Sequence, residues 1–429
     1  IGRAPRCPRP LAPDVQRGAE RDNRSGAVRD SQPTFCWRAA PRRLGYLGAM
    51  SSPAVNTSNT RLLQTPFHKW HVEYGAKLVE YAGWEMPLLY TSIIEEHRWV
   101  RSSGGFFDVS HMGRLRFTGR HARKFLDRVC TRQILGMEDG QCRYSLVCNE
   151  QGGVRDDVLV YRFDDDEYLV VCNAANRAKL LRHFEEVRGD MVFRVEDQTE
   201  STAMAAIQGP KVMDVIAQMS REVPTLKRYR FVEKNLLVLK MVVSRTGYTG
   251  EDGVEVILGA GMARMAMSML LKDMGKENAV VKPIGLGARD TLRMEAGMPL
   301  YGHELSETID PLTAGLAFAV KLDKGDDDPL AGHFIGQEAL QRIAAEGPQR
   351  RLVGLHLDGR RSARQDMEVR ADGRAVGVVT SGCLSPTLDR PIAMAIVDRE
   401  HAEPGSRLEV DLRGTVTAAE VVTLPFVRK

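Results

Sequence analysis

GGVRDDVLVY, residues Gly152 to Tyr161, puts two adjacent carboxylates at the start of an apolar strand. Charge in that position is costly unless something nearby uses it. Strand side chains alternate between the two faces of a sheet, so Asp157, Leu159 and Tyr161 share one face and Asp156 takes the other. Upstream, Tyr144 to Cys148 reads as a second strand, closed by the turn-rich Asn149-Glu150-Gln151-Gly152-Gly153. Downstream, Asp164 to Glu167 forms a turn before a third strand, Tyr168 to Asn173. Folded as an antiparallel meander, the three strands set Asp157 opposite Asn173, with Tyr144 and Tyr161 on the same face. A carboxylate, an amide and two phenols then converge on one patch. A strand that merely begins at a solvated sheet edge would carry the same Asp pair, and a register slip of one residue would exchange the faces.

The chain of 429 residues is long enough for two or three domains, and its 43% hydrophobic and 27% charged content is that of a globular protein. No apolar run approaches the roughly 18 residues of a membrane span. The net charge of +4 comes from the N-terminus, because residues 1–49 hold ten Arg against four acids and contribute +6. The rest of the chain is slightly acidic, so the net charge is no argument for a nucleic-acid or membrane partner, and neither is expected. The same 49 residues carry six Pro and almost no apolar periodicity, so residues 1–60 are expected to be a disordered extension. Met50 is the expected natural start and residues 1–49 an over-extended reading of the gene, with a mitochondrial leader as the alternative. The seven cysteines form no CxxC pair, and several fall inside apparent strands, as buried free thiols in a reducing compartment do.

From about Thr65 to Ala345, short strands alternate with amphipathic helices. A helix is expected over 177–187, capped by Asn176, with Leu180, Phe184 and Val187 on its buried face. A second covers 262–272, where Met262, Met265, Met267 and Met269 read as core filling, and a third covers 336–345. After Pro348 the runs 352–357, 375–380, 392–397 and 407–410 are strands separated by Gly, Pro and Asp turns. That spacing predicts a separate β-barrel domain over 351–429, behind a core domain region of 61–348.

Further along the core, Arg245 to Val256 combines glycines and acids ahead of a strand. Glu255 differs from Glu251 and Asp252 because it lies within the apolar run Val254 to Leu258. It needs a partner there, either an Arg or a planar donor edge such as an amino-pyrimidinone. Arg289 and Arg293 sit one turn apart on a helix, placed either to grip a carboxylate-bearing ligand or to pair with Asp290 and Glu295. Gly285-Leu286-Gly287 and Gly259-Ala260-Gly261 each lack the third glycine of a dinucleotide fingerprint, with Asp290 and Arg264 in its place. His111, beside Ser110, has no spaced acid to make a triad, so a structural role is expected for it. Metal-ligand spacings are absent, so no metal site is expected. Thr380 to Pro386 reads as a tight turn around Cys383.

Together these motifs resemble a known family. Ala82 to Pro87, Phe107 to Met112, Gly152 to Asp157, Ile207 to Pro210, Gly247 to Glu255, Ala288 to Gly297 with Leu300-Tyr301-Gly302, and Thr380 to Gly382 with Ser385-Pro386 resemble the aminomethyltransferase of the glycine cleavage system, the T-protein. They occur in the family's order across about residues 65 to 426. The resemblance implies an α+β fold, a three-domain cloverleaf around a central folate channel whose last domain is an antiparallel β-barrel. It implies tetrahydrofolate as co-substrate, no metal, lipoylated H-protein as partner, and a bacterial cytoplasmic or mitochondrial matrix location. Carried over residue by residue, the catalytic aspartate falls on Asp157, the pterin-binding glutamate on Glu255 and the ligand-binding arginine on Arg289. Tyr144, Tyr161 and Asn173 match positions lining the folate pocket. Two relatives in fold define the alternatives. Folate-dependent demethylating oxidases carry flavin domains whose fingerprints this chain lacks. Folate-binding iron-sulfur assembly proteins typically lack the Asp pair.

Overall fold

The computed structural model describes residues 61–236, 239–270, 276, 278–325 and 332–428. The expected N-terminal extension, with Cys7, Cys36 and Met50, lies outside the described residues, as does the side chain of Met269.

The meander forms as strands Gln141–Cys148, Val154–Arg162 and Glu167–Cys172. Gly113–Thr118 and Arg194–Asp197 complete a five-stranded antiparallel sheet, in which Gln141–Cys148 is an edge. Leu146 pairs with Asp157 and Leu159 with Val171, a register that carries Asp157 opposite Asn173. One face of this sheet is covered by helices Ala122–Val129 and Arg177–Glu186. Phe117, Phe125, Val158, Val160, Leu180 and Phe184 form the core there. The other face packs Tyr161, Leu169 and Val171 against Met204, Ala206 and Ile257 of a second sheet. Strand parity therefore has a three-dimensional meaning. Asp156 goes with Val158 and Val160 under the helices, and Asp157 goes with Leu159 and Tyr161 between the sheets.

The second sheet has six strands in the order Phe231–Leu236, Leu239–Ser244, Gly253–Gly259, Thr202–Gln208, Gly104–Asp108 and Val281–Pro283. All neighbours are antiparallel except the last pair. The C-terminal part is a closed antiparallel barrel of Arg350–Leu357, Arg390–Asp398, Arg374–Ser385, Glu368–Ala371, Arg407–Asp411 and Val416–Val422. Inward-facing Leu355, Val369, Ala393, Ala395, Val410 and Val421 fill it.

Several local expectations are corrected by the structure. The expected turn at Cys383 is the end of the long strand Arg374–Ser385, and burial pushes its thiol up to about 12. Two barrel strands, Glu368–Ala371 and Val416–Val422, were too short or too polar to read from alternation. Met265 is 41% exposed rather than core, because helix Ala263–Leu270 turns only one stripe, with Ala263, Ala266 and Met267, inward. Asn176 stands at the start of helix Arg177–Glu186, but its side chain makes no cap hydrogen bond.

Candidate active site

Strand Val154–Arg162 starts from a tight turn. Asn149 Oδ1 accepts the backbone N–H groups of Gln151 and Gly153, and the Gly153 N–H bond is 2.9 Å. Glycine is required at 153 by close approach, since a Cβ there would lie 1.9 Å from the Glu307 carbonyl oxygen. The turn delivers the Asp pair to the sheet.

Asp156 is fully buried, which removes the solvated-edge reading. Its Oδ1 accepts from Asn173 Nδ2 at 2.8 Å and from Asn176 Nδ2 at 2.6 Å, and its Oδ2 accepts from Asn173 N at 3.0 Å. This is where the Asn176 side chain goes instead of capping its helix. Asp157 is half-buried. Its Oδ1 accepts from Asn173 Nδ2 at 2.7 Å and its Oδ2 from Tyr144 OH at 3.2 Å. One amide, Asn173, thus spans both carboxylates. Burial and the adjacent Asp157 push Asp156 up to about 8, and burial raises Asp157 as well. Two carboxylates this close do not both ionise readily, and the half-exposed one costs less to charge. Of the two, Asp157 is therefore the one that ionises more readily.

Glu255 lies on strand Gly253–Gly259, across from Ser244 on one side and Ala206 on the other, and is 9% exposed. It has no ion pair among the described residues, and burial raises its carboxyl. Its acidic neighbours take the arginines. Asp252 binds Arg245 at 2.6 Å, and Glu251 binds Arg101 at 2.8 Å. What Glu255 has is a hydroxyl chain. Thr246 Oγ1 donates to its Oε2 at 2.5 Å, Ser244 Oγ lies 2.7 Å from Thr246 Oγ1, and Tyr161 OH lies 3.1 Å from Ser244 Oγ. Tyr161 therefore belongs to the Glu255 end of the site and makes no hydrogen bond to Asp157, although the two share one face of strand Val154–Arg162. The chain of hydroxyls links the two sheets through groups 83 residues apart.

The two arginines separate. Arg293 is buried and bound by Asp290 at 2.8 Å, Glu304 at 2.9 Å and Ser381 Oγ at 2.8 Å, so it is a structural cation and not a ligand grip. Glu295 pairs with neither arginine of its own helix but with Arg101. Arg289 lies over the Tyr248 ring, 4.8 Å from guanidinium carbon to ring centre, and its Nη1 is buried with no hydrogen-bond partner among the described residues. His111 is buried, and burial pulls it down to about 3, so it is neutral. A His of such low basicity, with no carboxylate hydrogen bond among the described residues, is too weak a base to activate a nucleophile.

The matches to known proteins cover this whole arrangement. The family model described as GCVT N-terminal domain matches residues 67–324, and the glycine cleavage T-protein C-terminal barrel domain matches residues 350–428. The chain belongs to the glycine cleavage T-protein family. Aminomethyltransferases from Saccharopolyspora erythraea and Rubrobacter xylanophilus are 45% and 44% identical to it. The first match covers 85% of this chain and 98% of that protein, and the second 87% and 97%. The crystal structure of the glycine cleavage system aminomethyltransferase T from Bartonella henselae superposes with a TM-score of 0.78 at 32% identity, over 86% of this chain and 98% of that one. The chain is accordingly an enzyme, an aminomethyltransferase.

Within this T-protein family chain, sequence reasoning overlooked Ser244, Thr246 and Asn176 as parts of the site. Ser244 had a readable signal. Pairing strand Leu239–Ser244 with Gly253–Gly259 through their turn puts Ser244 directly across from Glu255. Asn176 had none, because its contact with Asp156 depends on how the helix docks.

Proposed function

We propose that the chain transfers the methylene carbon of the aminomethyl group carried on the lipoyl arm of H-protein to tetrahydrofolate. The products are 5,10-methylenetetrahydrofolate, ammonia and reduced H-protein. The observation that carries this reading is a pair of buried or half-buried carboxylates, Asp157 and Glu255, neither of them ion-paired among the described residues, at the two ends of one intersheet site. Residues 61–348 would hold the folate and residues 351–429 would form the closing barrel, with the reaction in the bacterial cytoplasm; the relatives named above are bacterial.

Tetrahydrofolate supplies the N5 nucleophile, and departure of ammonia from the S-aminomethyl group supplies an electrophilic carbon. Glu255 suits the amino-pyrimidinone edge of a pterin, because a buried carboxylate with one hydroxyl donor still has lone pairs to fill. Tyr161, Ser244 and Thr246 fix its orientation. Asp157 orients N5 and stabilises the cationic, iminium-like transition state electrostatically. Tyr144 and Asn173 hold the Asp157 carboxylate in one rotamer, and Asp156 anchors Asn173. Arg289, with its unpartnered Nη1, is available to an anionic or carbonyl group of the substrate.

The direct test is ammonia release from aminomethylated H-protein with and without tetrahydrofolate. Strong stimulation by the folate is expected, and its absence would overturn the reading. Glu255→Gln should weaken tetrahydrofolate binding by roughly 10- to 10²-fold, the worth of one or two hydrogen bonds to a charged group. The Gln carbonyl can still accept from Thr246, so the fold is retained. Unchanged affinity by titration calorimetry would remove Glu255 from the pterin site.

A further inference from the structure

The hydroxyl chain that ends on Glu255 has a direction. Each hydroxyl has one proton to give, so an ionised Glu255 sets the sense of every bond behind it. Thr246 Oγ1 donates to the carboxylate, which leaves it to accept from Ser244 Oγ at 2.7 Å, and Ser244 Oγ to accept from Tyr161 OH at 3.1 Å. All three protons then point towards the carboxylate. Hydrogen bonds in such a series polarise one another, so a buried series supports the charge at its end better than the terminal bond alone.

Protonating Glu255 weakens or reverses the series. A proton on Oε1 turns the charge-assisted bond from Thr246 into an ordinary one. A proton on Oε2 goes to Thr246 Oγ1, Thr246 donates to Ser244, and Ser244 needs another acceptor. Among the described residues it has two, the Glu255 main-chain carbonyl at 3.4 Å and Tyr161 OH. The first bond is long. The second makes the phenol an acceptor and strands its own proton, because the hydroxyls in reach of Tyr161 OH are those of Ser244 and Thr246 themselves. Tyr161 is fully buried, so a hydrogen bond left unmade there is costly.

Other groups face Glu255 from the elements packed around it. Arg289 of helix Leu286–Glu295 lies within electrostatic reach and favours the anion, while burial works against it. Cys142 of strand Gln141–Cys148 and Tyr229, just ahead of strand Phe231–Leu236, are titratable, and burial raises both, so they stay neutral at neutral pH. Among the described residues none of the three hydrogen-bonds the carboxylate, and its side-chain bond is the one from Thr246. Tyr161 reaches this series from the other sheet, its ring set against Phe231 with centres 5.4 Å apart. It also differs from its neighbours in the site, because Tyr144, Asp157 and Asn173 all keep accessible surface and Tyr161 has none.

We propose that Tyr161 is a positioning residue that acts on the folate without touching it: through Ser244 and Thr246 it holds the Glu255 carboxylate as an oriented, ionised acceptor for the pterin. The inference rests on the folate reading given above. An amino-pyrimidinone edge offers two N–H donors side by side, which a carboxylate receives as a pair when both of its oxygens are acceptors. Thr246 engages Oε2 alone and leaves the other lone pairs to the ligand. A carboxyl proton removes one of the two acceptors, so the series of hydroxyls also sets the pH range over which the pterin binds.

The test is the pH dependence of tetrahydrofolate affinity, measured by titration calorimetry on the full chain from about pH 5 to 8. Wild-type affinity is expected to fall on acidification as Glu255 gains its proton, and Glu255→Gln should flatten that fall. Tyr161→Phe keeps the ring on Phe231 and should move the fall upward by about half to one pH unit, the effect of losing one hydrogen bond from the series. Ser244→Ala should shift it likewise, and gives the same readout if the Tyr161 variant does not fold. Thr246→Val should shift it further, and Thr246→Ser should restore the wild-type curve. The ligand's own ionisation is common to every variant, so the differences belong to the enzyme. An unshifted curve in Tyr161→Phe and Ser244→Ala, or a loss of affinity that is uniform across pH, overturns the proposal while leaving the folate reading intact. A fall that persists in Glu255→Gln places the titrating group elsewhere and equally overturns it. No binding of tetrahydrofolate to the wild type at any pH would sink the underlying functional reading.

Discussion

Asp157→Asn is expected to lower kcat by about 10²-fold or more while tetrahydrofolate binding stays nearly intact. The amide has the shape of the carboxylate and still accepts from Asn173 Nδ2, and the Tyr144 hydroxyl can turn to accept from its NH₂. What is lost is the negative charge beside the developing cation, which acts only in the transition state. Single-turnover transfer from aminomethylated H-protein measures the rate, and calorimetry measures the binding. Asp156→Asn should behave differently. It offers an NH₂ to a site where Asn173 and Asn176 donate three hydrogen bonds, so it should lower stability and loosen Asn173 with a smaller loss of rate. Equal rate losses in the two variants would overturn the assignment of roles. Because burial raises Asp157, its anion disappears on acidification sooner than an ordinary aspartate's would. The acid limb of kcat should therefore lie above the ordinary value of about 4, and it should vanish in Asp157→Asn. A limb at or below about 4 would show that the charge of Asp157 is not what the reaction needs.

Glu295→Ala is expected to be strongly destabilising, at about 3–5 kcal/mol and a Tm loss on the order of 10 °C. Glu295 is fully buried at the end of helix Leu286–Glu295. One of its oxygens accepts from His97 at 3.1 Å, Arg101 Nη2 at 2.9 Å and Thr387 Oγ1 at 2.7 Å. The other accepts from Ser385 Oγ and from Thr387 N at 3.0 Å. The network fastens the core helix to the barrel and to helix Ile93–Ser102. Truncation leaves Arg101 and His97 facing an empty buried position, which costs more than the net worth of the pair. Despite its burial, the His97, Ser385 and Thr387 hydrogen bonds hold the Glu295 carboxyl down at about 2. Its folded value is depressed, so its contribution is fully present above the unfolded value and is lost as pH falls from about 4 towards 2. The stability difference between wild type and Glu295→Ala should shrink across that window in denaturant titrations. A variant within about 1 kcal/mol of wild type at pH 7 would show that the barrel is held by other contacts.

The legible parts of the site and the overlooked ones divide along a physical line. Period-two alternation is a property of one strand, so it separated Asp156 from Asp157 without knowledge of the rest of the molecule. The turn at Asn149 to Gly153 and the acidic turn at Asp164 to Asp166 then set the register, because short turns leave few pairings. Glu255 was conspicuous for the same local reason, a charge inside an apolar run. Its partner was not legible, since Arg101, Arg245, Arg289 and Thr246 were all available in sequence, and only docking gave Arg245 to Asp252, Arg101 to Glu251 and Thr246 to Glu255. Arg289 and Arg293 show the limit most clearly. Both sit on the same helix, yet the barrel supplies Ser381 to one, while the other is left with an unpartnered Nη1.

By itself the sequence determined the meander, the barrel, the family and which aspartate faces the intersheet space, because each depends on local periodicity, turn chemistry or motif order. Only the tertiary structure decided that Asp156 is buried and shares Asn173 with Asp157, that hydroxyls join Tyr161 to Glu255, and that Glu295 fastens the barrel. Each joins residues far apart in the chain. Hydrogen-bond and ion-pair partners are chosen among chemically equivalent candidates by the packing of whole elements, which no local pattern encodes.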